Sequence, residues 1–467
     1  MIRIFRHYVP YRKLLLIGIE SLLIFGALFI FLNLPKLGDP TWLNSSRMWW
    51  AALAAVVITA TCQLTMYYND LYDWKIYSAR DEFRIRLVEA LGYSFIVLAL
   101  LMYLFERLFE KLDLSVTRFI ATVVLLFIIL TAWRAFYKWI VVQGRFEERI
   151  LLIGHGGLAT KIRDVIQERR DTGLRIHGFI QKDGTEADAT GEVVGGFEDI
   201  VDIARQQGIS RVVVALTDRR GNLPVHELLA CKMMGVKIEE GESLFERLTG
   251  KIAVERLRPS YLIFSDGFRK TRLTLAAKRA GDIFFAVLGL ILALPIIAVA
   301  VPLIKLDSPG PVFFRQKRVG QDGHIFTLLK FRSMREDAER KTGPIWATEG
   351  DTRITRIGKF IRKTRIDEIP QMLNVLKGDM SFVGPRPERP FFVEELKYEI
   401  PYYTERLTVK PGITGWAQIN YPYGSSKQDA LEKLQYDLFY IKNMSSFFDL
   451  FIMFSTIKVV LMRRGAV

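Results

Sequence analysis

Two adjacent carboxylates, Asp367 and Glu368, lie in the stretch KTRIDEIPQMLNVLKGDMSFVGPRPE, Lys363 to Glu388. Arg353, Arg356, Lys359, Arg362, Lys363 and Arg365 precede them, and Arg386 and Arg389 follow. One reading is local. Acids ahead of the helical run QMLNVLKG complement a helix dipole, and Thr364 to Asp367 has the spacing of a capping box. The other reading is chemical. A carboxylate attacks phosphorus only when the charge on the phosphate is offset, as arginines and a divalent cation do, and carboxylate with phosphate calls for Mg2+, which takes oxygen ligands. Neighbours in a helix point about 100° apart, so the two acids are expected to take separate parts rather than share one proton.

The rest of the chain must hold that stretch near a membrane. Of the 467 residues 50% are hydrophobic, and 65 Lys and Arg against 50 Asp and Glu give a net charge of +15. With long apolar runs present, this charge points to an anionic leaflet or phosphorylated substrates and away from nucleic acid. Cys62 and Cys231 are the two cysteines, which excludes a disulfide framework or a cysteine-based metal site. Four runs near the ~20 residues that cross a bilayer occupy Leu14 to Leu34, Trp49 to Tyr68, Leu87 to Phe105 and Phe119 to Val142. The first is too long for a signal-peptide core and reads as a span. Basic residues concentrate before the first run (Arg3, Arg6, Arg12, Lys13), between the second and third (Lys75, Arg80, Arg84, Arg86) and around the end of the fourth (Arg134, Lys138, Arg145, Arg149), placing the N-terminus and the segment after Val142 in the cytosol.

From Arg149 short β-rich runs alternate with helical ones: ILLIG, RIHGFI, RVVVAL and VKIEE, with HGGLATKIRDVIQERR, GFEDIVDIARQQGI and HELLACKMMG between. This predicts a parallel-sheet, Rossmann-like α/β domain over about 146–265. Its first turn, Gly154-His155-Gly156-Gly157-Leu158-Ala159, fits G-x-G-x-x-A, which serves either to bind a nucleotide or simply to pack a strand against a helix. His155 and His177 read as ordinary loop and strand residues.

A fifth apolar run, Ile283 to Ile304, carries Pro295 at its middle and Pro302 near its end. It reads either as a kinked span or as a helix that bends at Pro295 and returns to the same face. Beyond it, VFFRQKRVG and HIFTLLKF flank a turn with Gly323 and predict a hairpin. The closing run SSFFDLFIMFSTIKVVLMRRG, broken by Asp449 and Lys458 and ending in Arg463 and Arg464, suits an interfacial or docked amphipathic helix.

The ordered blocks SPGPVFFRQKRVG, KFRSM, DTRITRIGKFIRKTRIDEIPQMLNVLKGDMSFVGPRPE and KPGITGWAQ resemble the bacterial sugar transferases that act as polyprenyl-phosphate hexose-1-phosphate transferases, the monotopic phosphoglycosyl transferases. The resemblance covers about Thr271 to the C-terminus, and the layout before it is similar to the large subgroup of that family. It implies four spans over 1–145, the α/β domain over 146–265, and an α+β catalytic domain over 271–467 with a re-entrant membrane helix at about 282–305, kinked at Pro295. It implies transfer of a hexose 1-phosphate from a UDP-sugar to undecaprenyl phosphate, releasing UMP, as the initiating step of exopolysaccharide or O-antigen synthesis. Asp367 then becomes the nucleophile of a covalent phospho-sugar intermediate and a ligand of Mg2+, and Glu368 its acid/base partner. Lys330, Arg332 and Arg386 match basic positions near the phosphates. The expected setting is the bacterial inner membrane with the catalytic domain cytosolic; a homodimer is left open.

Two rivals belong to other classes. A membrane-anchored sensor or scaffold would release no UMP and would tolerate Asp367→Asn. A transporter ordinarily needs polar residues inside its spans, and these offer few. Nothing in the sequence identifies the sugar.

Overall fold

In a computed structural model, the structure describes residues 2–4, 7–33, 46–74, 76, 79–104, 116–142, 147–154, 156–181, 193–216, 223–256, 259–335, 353–422, 424 and 426–461. Arg6, Lys36, Lys75, Arg145, His155, Arg463 and Arg464 lie outside the described residues. The chain forms two compact units, chiefly Tyr8–Leu244 and Phe245–Val467.

In the first unit the four apolar runs are helices: α1 (Tyr11–Asn33), α2 (Ser46–Tyr68), α3 (Arg80–Leu104) and α4 (Val116–Val142). Each packs on its neighbour in the chain, and α4 returns to α1. Their shared interior holds Ile24, Leu28, Met66, Leu87 and Leu130, yet Leu22, Trp49, Val56, Ile96 and Ile128 face outward exposed. Helices that are apolar on both inner and outer faces belong in lipid rather than water. Tyr11–Phe31, Met48–Tyr68 and Ala121–Val141 are long and apolar enough to cross a membrane. The third helix is polar over its first two turns and apolar from Leu87.

Buried between α1 and α4, Glu20 and Arg134 form an ion pair. The same guanidinium donates to the Leu71 carbonyl and lies over the rings of Tyr72 and Phe83, 5.0 and 5.1 Å from their centroids. The apolar runs thus hide one fully partnered charge pair.

The α/β part follows the predicted alternation: β1 (Glu148–Ile153), α5 (Gly157–Glu168), β2 (Leu174–Ile180), β3 (Val193–Gly195), α6 (Ile200–Gln206), β4 (Arg211–Val214), α7 (Val225–Met233) and β5 (Lys237–Glu240). The sheet is parallel throughout, ordered β3-β2-β1-β4-β5, a doubly wound arrangement with β1 central. Central strands buried on both faces need continuous apolar runs, and Ile150 to Ile153 and Val212 to Val214 supply them. Arg211 ties three strands together through Glu148 and Glu239, each at 2.6 Å. At the G-x-G-x-x-A turn, Gly154 has φ +106° and a Cβ there would stand 3.0–3.1 Å from the backbone of Ala215 and Leu216. Strand packing alone therefore accounts for that glycine.

In the second unit, α8 (Arg272–Asp307) runs 36 residues and continues through Pro295 and Pro302. Its N-cap Thr271 accepts from the Thr274 amide. Ala286, Ala293 and Ala300, spaced by seven, are buried with Ile304, while Phe284, Ile291, Leu292, Leu294 and Val299 are exposed. The hairpin forms as predicted, β6 (Phe313–Val319) against β7 (Ile325–Phe331), antiparallel. Next come α9 (Arg356–Lys363), a 3-10 turn Ile366–Glu368, α10 (Gln371–Lys377), β8 (Ser381–Val383), α11 (Pro390–Glu399), a 3-10 stretch Tyr403–Thr408, β9 (Gly412–Thr414), α12 (Trp416–Asn420), α13 (Lys427–Asn443) and α14 (Ser446–Leu461).

Both halves of α8 pack on this unit. Near its start Arg279 donates to the Val375 and Leu376 carbonyls, capping the end of α10, and Asp282 accepts from Ser381 Oγ at 2.9 Å and the Phe382 amide at 2.8 Å. Near its end Ile304 packs with Phe331 and Ile361, and Asp307 accepts from the Ile357 amide. The unit's main core gathers Val383, Trp416, Leu434, Phe439, Tyr440 and Phe448, with Ile252 and Val254 from before α8. The closing helix α14 presents Phe447, Leu450, Phe454 and Ile457 on one exposed stripe while burying Phe448 and Ile452.

Candidate active site

Strand β7 and the turn after α9 bring the site together. Along β7, Phe326, Leu328 and Lys330 share one face by the two-residue period of a strand. Phe326 and Leu328 pack on Val375 and Met380, which aims Lys330 toward the chain just ahead of α10. Asn374, fully buried in α10, locks the register: its Oδ1 accepts from the Leu329 amide at 3.0 Å and its Nδ2 donates to the Thr327 carbonyl at 2.8 Å. Helix α9 is fixed by its N-cap Thr355 and by Gly358, where a Cβ would stand 1.9 Å from the Ser333 carbonyl.

The expected capping box is absent. Thr364 ends α9 instead, its hydroxyl donating to the Phe360 and Ile361 carbonyls. The next residue, Arg365, has φ 58°, the left-handed region that a non-glycine residue adopts at a cost of roughly 1–3 kcal/mol. That reversal sends Ile366–Glu368 into a 3-10 turn facing Lys330, so Asp367 and Glu368 are buried, 7% and 9% exposed, rather than displayed at a solvated helix start.

The two acids are neutralised unequally. Glu368 Oε1 is met by Lys330 Nζ at 3.1 Å, an Arg386 amino group at 3.1 Å and an Arg365 amino group at 3.6 Å. Burial alone would raise its pKa, but Lys330, Arg386 and Arg365 outweigh burial and hold it well below the usual carboxylate range. Asp367 Oδ2 has Lys330 at 3.6 Å. Burial and the neighbouring Glu368 charge push its pKa up, against the pull of Lys330, Arg362 and Arg365. One acid is locked as an anion; the other is a buried, more basic carboxylate still short of positive charge.

Of the sequence-predicted residues, Lys330, Asp367, Glu368 and Arg386 converge. Arg332 points elsewhere. Strand pairing stops at Phe331, and the buried Arg332 guanidinium donates to the carbonyls of Ile304 at 3.3 Å, Ser308 at 2.6 Å and Pro309 at 2.6 Å, clasping the end of α8. Pro295 lies within α8, away from these charges in sequence and in the interior of a continuous helix. Arg365, one basic residue among six upstream, is the member whose place in the site no spacing rule signalled.

The loop after β8 is held by close backbone approach. Strand β8 pairs in parallel with β9, and a Cβ on Gly412 would lie 2.1 Å from the Gly384 amide nitrogen. Arg386 to Glu388 then offer three consecutive carbonyls, accepting from Arg406 at 3.0 Å, Arg318 at 2.9 Å and the Val319 amide at 3.0 Å.

Among the described residues no group of three or more His, Cys, Asp and Glu is gathered to hold a metal by itself. Mg2+ usually takes one or two carboxylates together with substrate phosphates and waters. The under-neutralised Asp367 beside Lys330, Arg365 and Arg386 fits that requirement for a diphosphate with its cation.

Comparison with known proteins shows what the chain is similar to. Residues 273–463 match the model of the bacterial sugar transferase family, and residues 68–229 match a CoA-binding domain. A UDP-N-acetylgalactosamine-undecaprenyl-phosphate N-acetylgalactosaminephosphotransferase of Aeromonas hydrophila is 42% identical over 239 residues, covering 51% of this chain and 56% of that protein. A UDP-glucose:undecaprenyl-phosphate glucose-1-phosphate transferase of Klebsiella pneumoniae is 31% identical over 370 residues, 76% of this chain and 77% of its own length. The galactosyl transferase CpsE of Streptococcus agalactiae serotype III (strain NEM316) is 46% identical over 202 residues, 41% of this chain and 44% of its own. The chain thus spans about half the length of two of these relatives and three quarters of the third. With the DE turn, the KFRSM segment and the GPRP loop all inside the matched region, the chain belongs to the bacterial sugar transferase family.

Proposed function

We propose that this protein transfers a hexose 1-phosphate from a UDP-sugar to undecaprenyl phosphate, releasing UMP and leaving undecaprenyl-diphospho-sugar, the first step of an exopolysaccharide or O-antigen. The observation that carries the reading is the unequal neutralisation of Asp367 and Glu368. Asp367 attacks the sugar-bearing phosphorus of the UDP-sugar; a bond forms from its carboxylate oxygen to phosphorus, and the bond to the bridging oxygen breaks, with the electron pair leaving on UMP. A phosphate oxygen of the lipid then attacks the same phosphorus and the Asp367 carboxylate departs. Burial keeps that carboxylate basic, hence nucleophilic once deprotonated. Lys330, Arg365 and Arg386 lie where charge grows on the transferring phosphoryl group.

Glu368 takes a different part from the acid/base role expected of it. A carboxylate held so low stores no proton at neutral pH, and its ion pairs aim Lys330, Arg365 and Arg386. Mg2+, held by Asp367 and the substrate diphosphate, would offset phosphate charge. Arg332 supports the reaction by fixing the end of α8 rather than by touching phosphate.

The setting follows from the same residues. UDP-sugars are cytosolic, and both halves of α8 pack on the unit that carries Asp367, which supports a helix that enters and returns on one face of the inner membrane. The same helix is long and apolar enough to cross a membrane, so the packing of both its halves, not its length, carries this topology. A cysteine placed at Ser308 should be labelled from the cytosolic side; labelling from outside contradicts the topology. A homodimer is compatible with the reading and not required by it.

The test of function is direct. Purified protein in lipid with undecaprenyl phosphate, Mg2+ and a panel of UDP-sugars should release UMP with at least one sugar, and Asp367→Asn should not. UMP from no sugar, or equal release by Asp367→Asn, defeats the reading.

A further inference from the structure

Behind the GPRP loop lies a buried ion pair that the proposed chemistry does not use. Arg406 is 7% exposed and Asp437 1% exposed. An amino group of Arg406 meets Asp437 Oδ2 at 2.8 Å and also donates to the Arg386 carbonyl at 3.0 Å; its other amino group donates to the Tyr403 hydroxyl at 2.8 Å. Arg406 belongs to the 3-10 stretch Tyr403–Thr408 and Asp437 to the middle of α13, so two separate elements meet at the guanidinium that holds one backbone oxygen of the loop. Burying a charge pair is costly, and hydrophobic residues of similar volume often serve stability equally well. A charge-assisted bond to the main chain of a substrate-facing residue gives such a pair another use.

We propose that Arg406, braced by Asp437, is a positioning residue for the transfer: it fixes the Arg386 carbonyl and so sets where the Arg386 guanidinium lies relative to Glu368 and the phosphate. This rests on the reading of Arg386 as a phosphate-facing cation. The geometry supports a chain of four links. Asp437 orients Arg406, Arg406 holds the Arg386 main chain, the Arg386 side chain reaches Glu368 at 3.1 Å, and Glu368 shares Lys330 with Asp367. The two following carbonyls are clamped independently by Arg318 and Val319, so the loop keeps its path when Arg406 is altered and loses only the placement of its first residue.

The test is a double-mutant cycle in the full-length protein in lipid, with UMP release measured as kcat and KM separately and thermal unfolding followed in parallel. Arg406→Lys retains a charge for Asp437 but not the planar fork; Asp437→Asn leaves Arg406 in place without its brace. Each is expected to lower kcat of the folded protein roughly tenfold to a hundredfold, the scale on which a misplacement of about 1 Å costs rate; Asp437→Asn, which leaves the buried Arg406 charge without its partner, should also lower the melting temperature, and Arg406→Lys, which keeps the charge, should lower it less. In an Arg386→Ala background neither should lower kcat further, because the residue they act through is gone. Equal losses in both backgrounds, or losses that merely follow the melting temperature, overturn the positioning role. Two controls separate the levels: if Asp367→Asn keeps full activity the transferase reading itself fails, whereas if Asp367→Asn is dead and Arg386→Ala is fully active, that reading stands and this inference fails.

Discussion

Two of the places where the molecule buries charge do so to opposite ends. Between α1 and α4, Glu20 and Arg134 satisfy each other, with the Leu71 carbonyl and two aromatic rings completing the arginine's surroundings. In the second unit, among the described residues, three cations lie within 3.6 Å of Glu368, while Asp367 has one ion-pair partner, Lys330 at 3.6 Å, with Arg362 and Arg365 acting from further off. The first cluster is closed and has nothing left to offer a ligand. The second carries an imbalance that a phosphate and its cation would resolve. Burial by itself therefore does not mark a functional site; the uneven distribution of partners does.

The comparison can be broken by mutations that ought to separate stability from turnover. Asp367→Asn should lower UMP release at least about a thousandfold, as loss of a nucleophile does, with thermal unfolding unshifted or slightly later because a disfavoured buried charge is removed. Next in size is Glu20→Gln, which strands the Arg134 charge and should cost about 3–5 kcal/mol of stability; yield and melting temperature fall, while turnover per folded molecule holds. If Glu20→Gln instead abolished turnover in folded protein, the bundle pair would belong to the chemistry and the contrast would collapse.

Lys330→Met removes a cation that forms an ion pair with both acids and should lower kcat about a hundredfold. Arg332→Met sharpens the contrast two residues along. It leaves three carbonyls at the end of α8 without their donor, so a stability loss of about 1–3 kcal/mol is expected with KM for the UDP-sugar unchanged; a large rise in KM would return Arg332 to the phosphates. The smallest effect belongs to Arg365→Gly, which keeps the left-handed turn and deletes the cation. Activity should fall about tenfold, a loss of roughly 1.4 kcal/mol, and folding should be intact because glycine adopts this conformation freely.

Patterns of strict period were legible in the sequence. The apolar runs became α1 to α4, ILLI and VVV became central strands, and the two β-prone segments around Gly323 paired over seven residues each. The acids and two of the three matched basic residues also converge. What escaped depends on positions where local rules give no signal. An arginine in the left-handed region at 365 is not written in any propensity, and it alone turns Thr364 from an expected N-cap into the end of a helix. Lys330 and Arg332, two apart, would share a face if the strand continued; the strand ends at Phe331, and one residue faces the acids while the other turns to α8. Glu20 and Arg134 lie 114 residues apart, and single polar residues in apolar runs do not announce their partner. The three-residue strands β8 and β9 rest on glycine contacts rather than on side-chain alternation.

The division of labour between the two acids is the centre of the account, and one measurement addresses it. Protein mixed with Mg2+ and an accepted UDP-sugar, without lipid acceptor, is quenched in acid, digested and mapped by mass spectrometry. A sugar phosphate added to the peptide carrying Asp367, lost on addition of undecaprenyl phosphate and undiminished in kind by Glu368→Gln, is the predicted result; an adduct on Glu368, or none while UMP is being released, contradicts it.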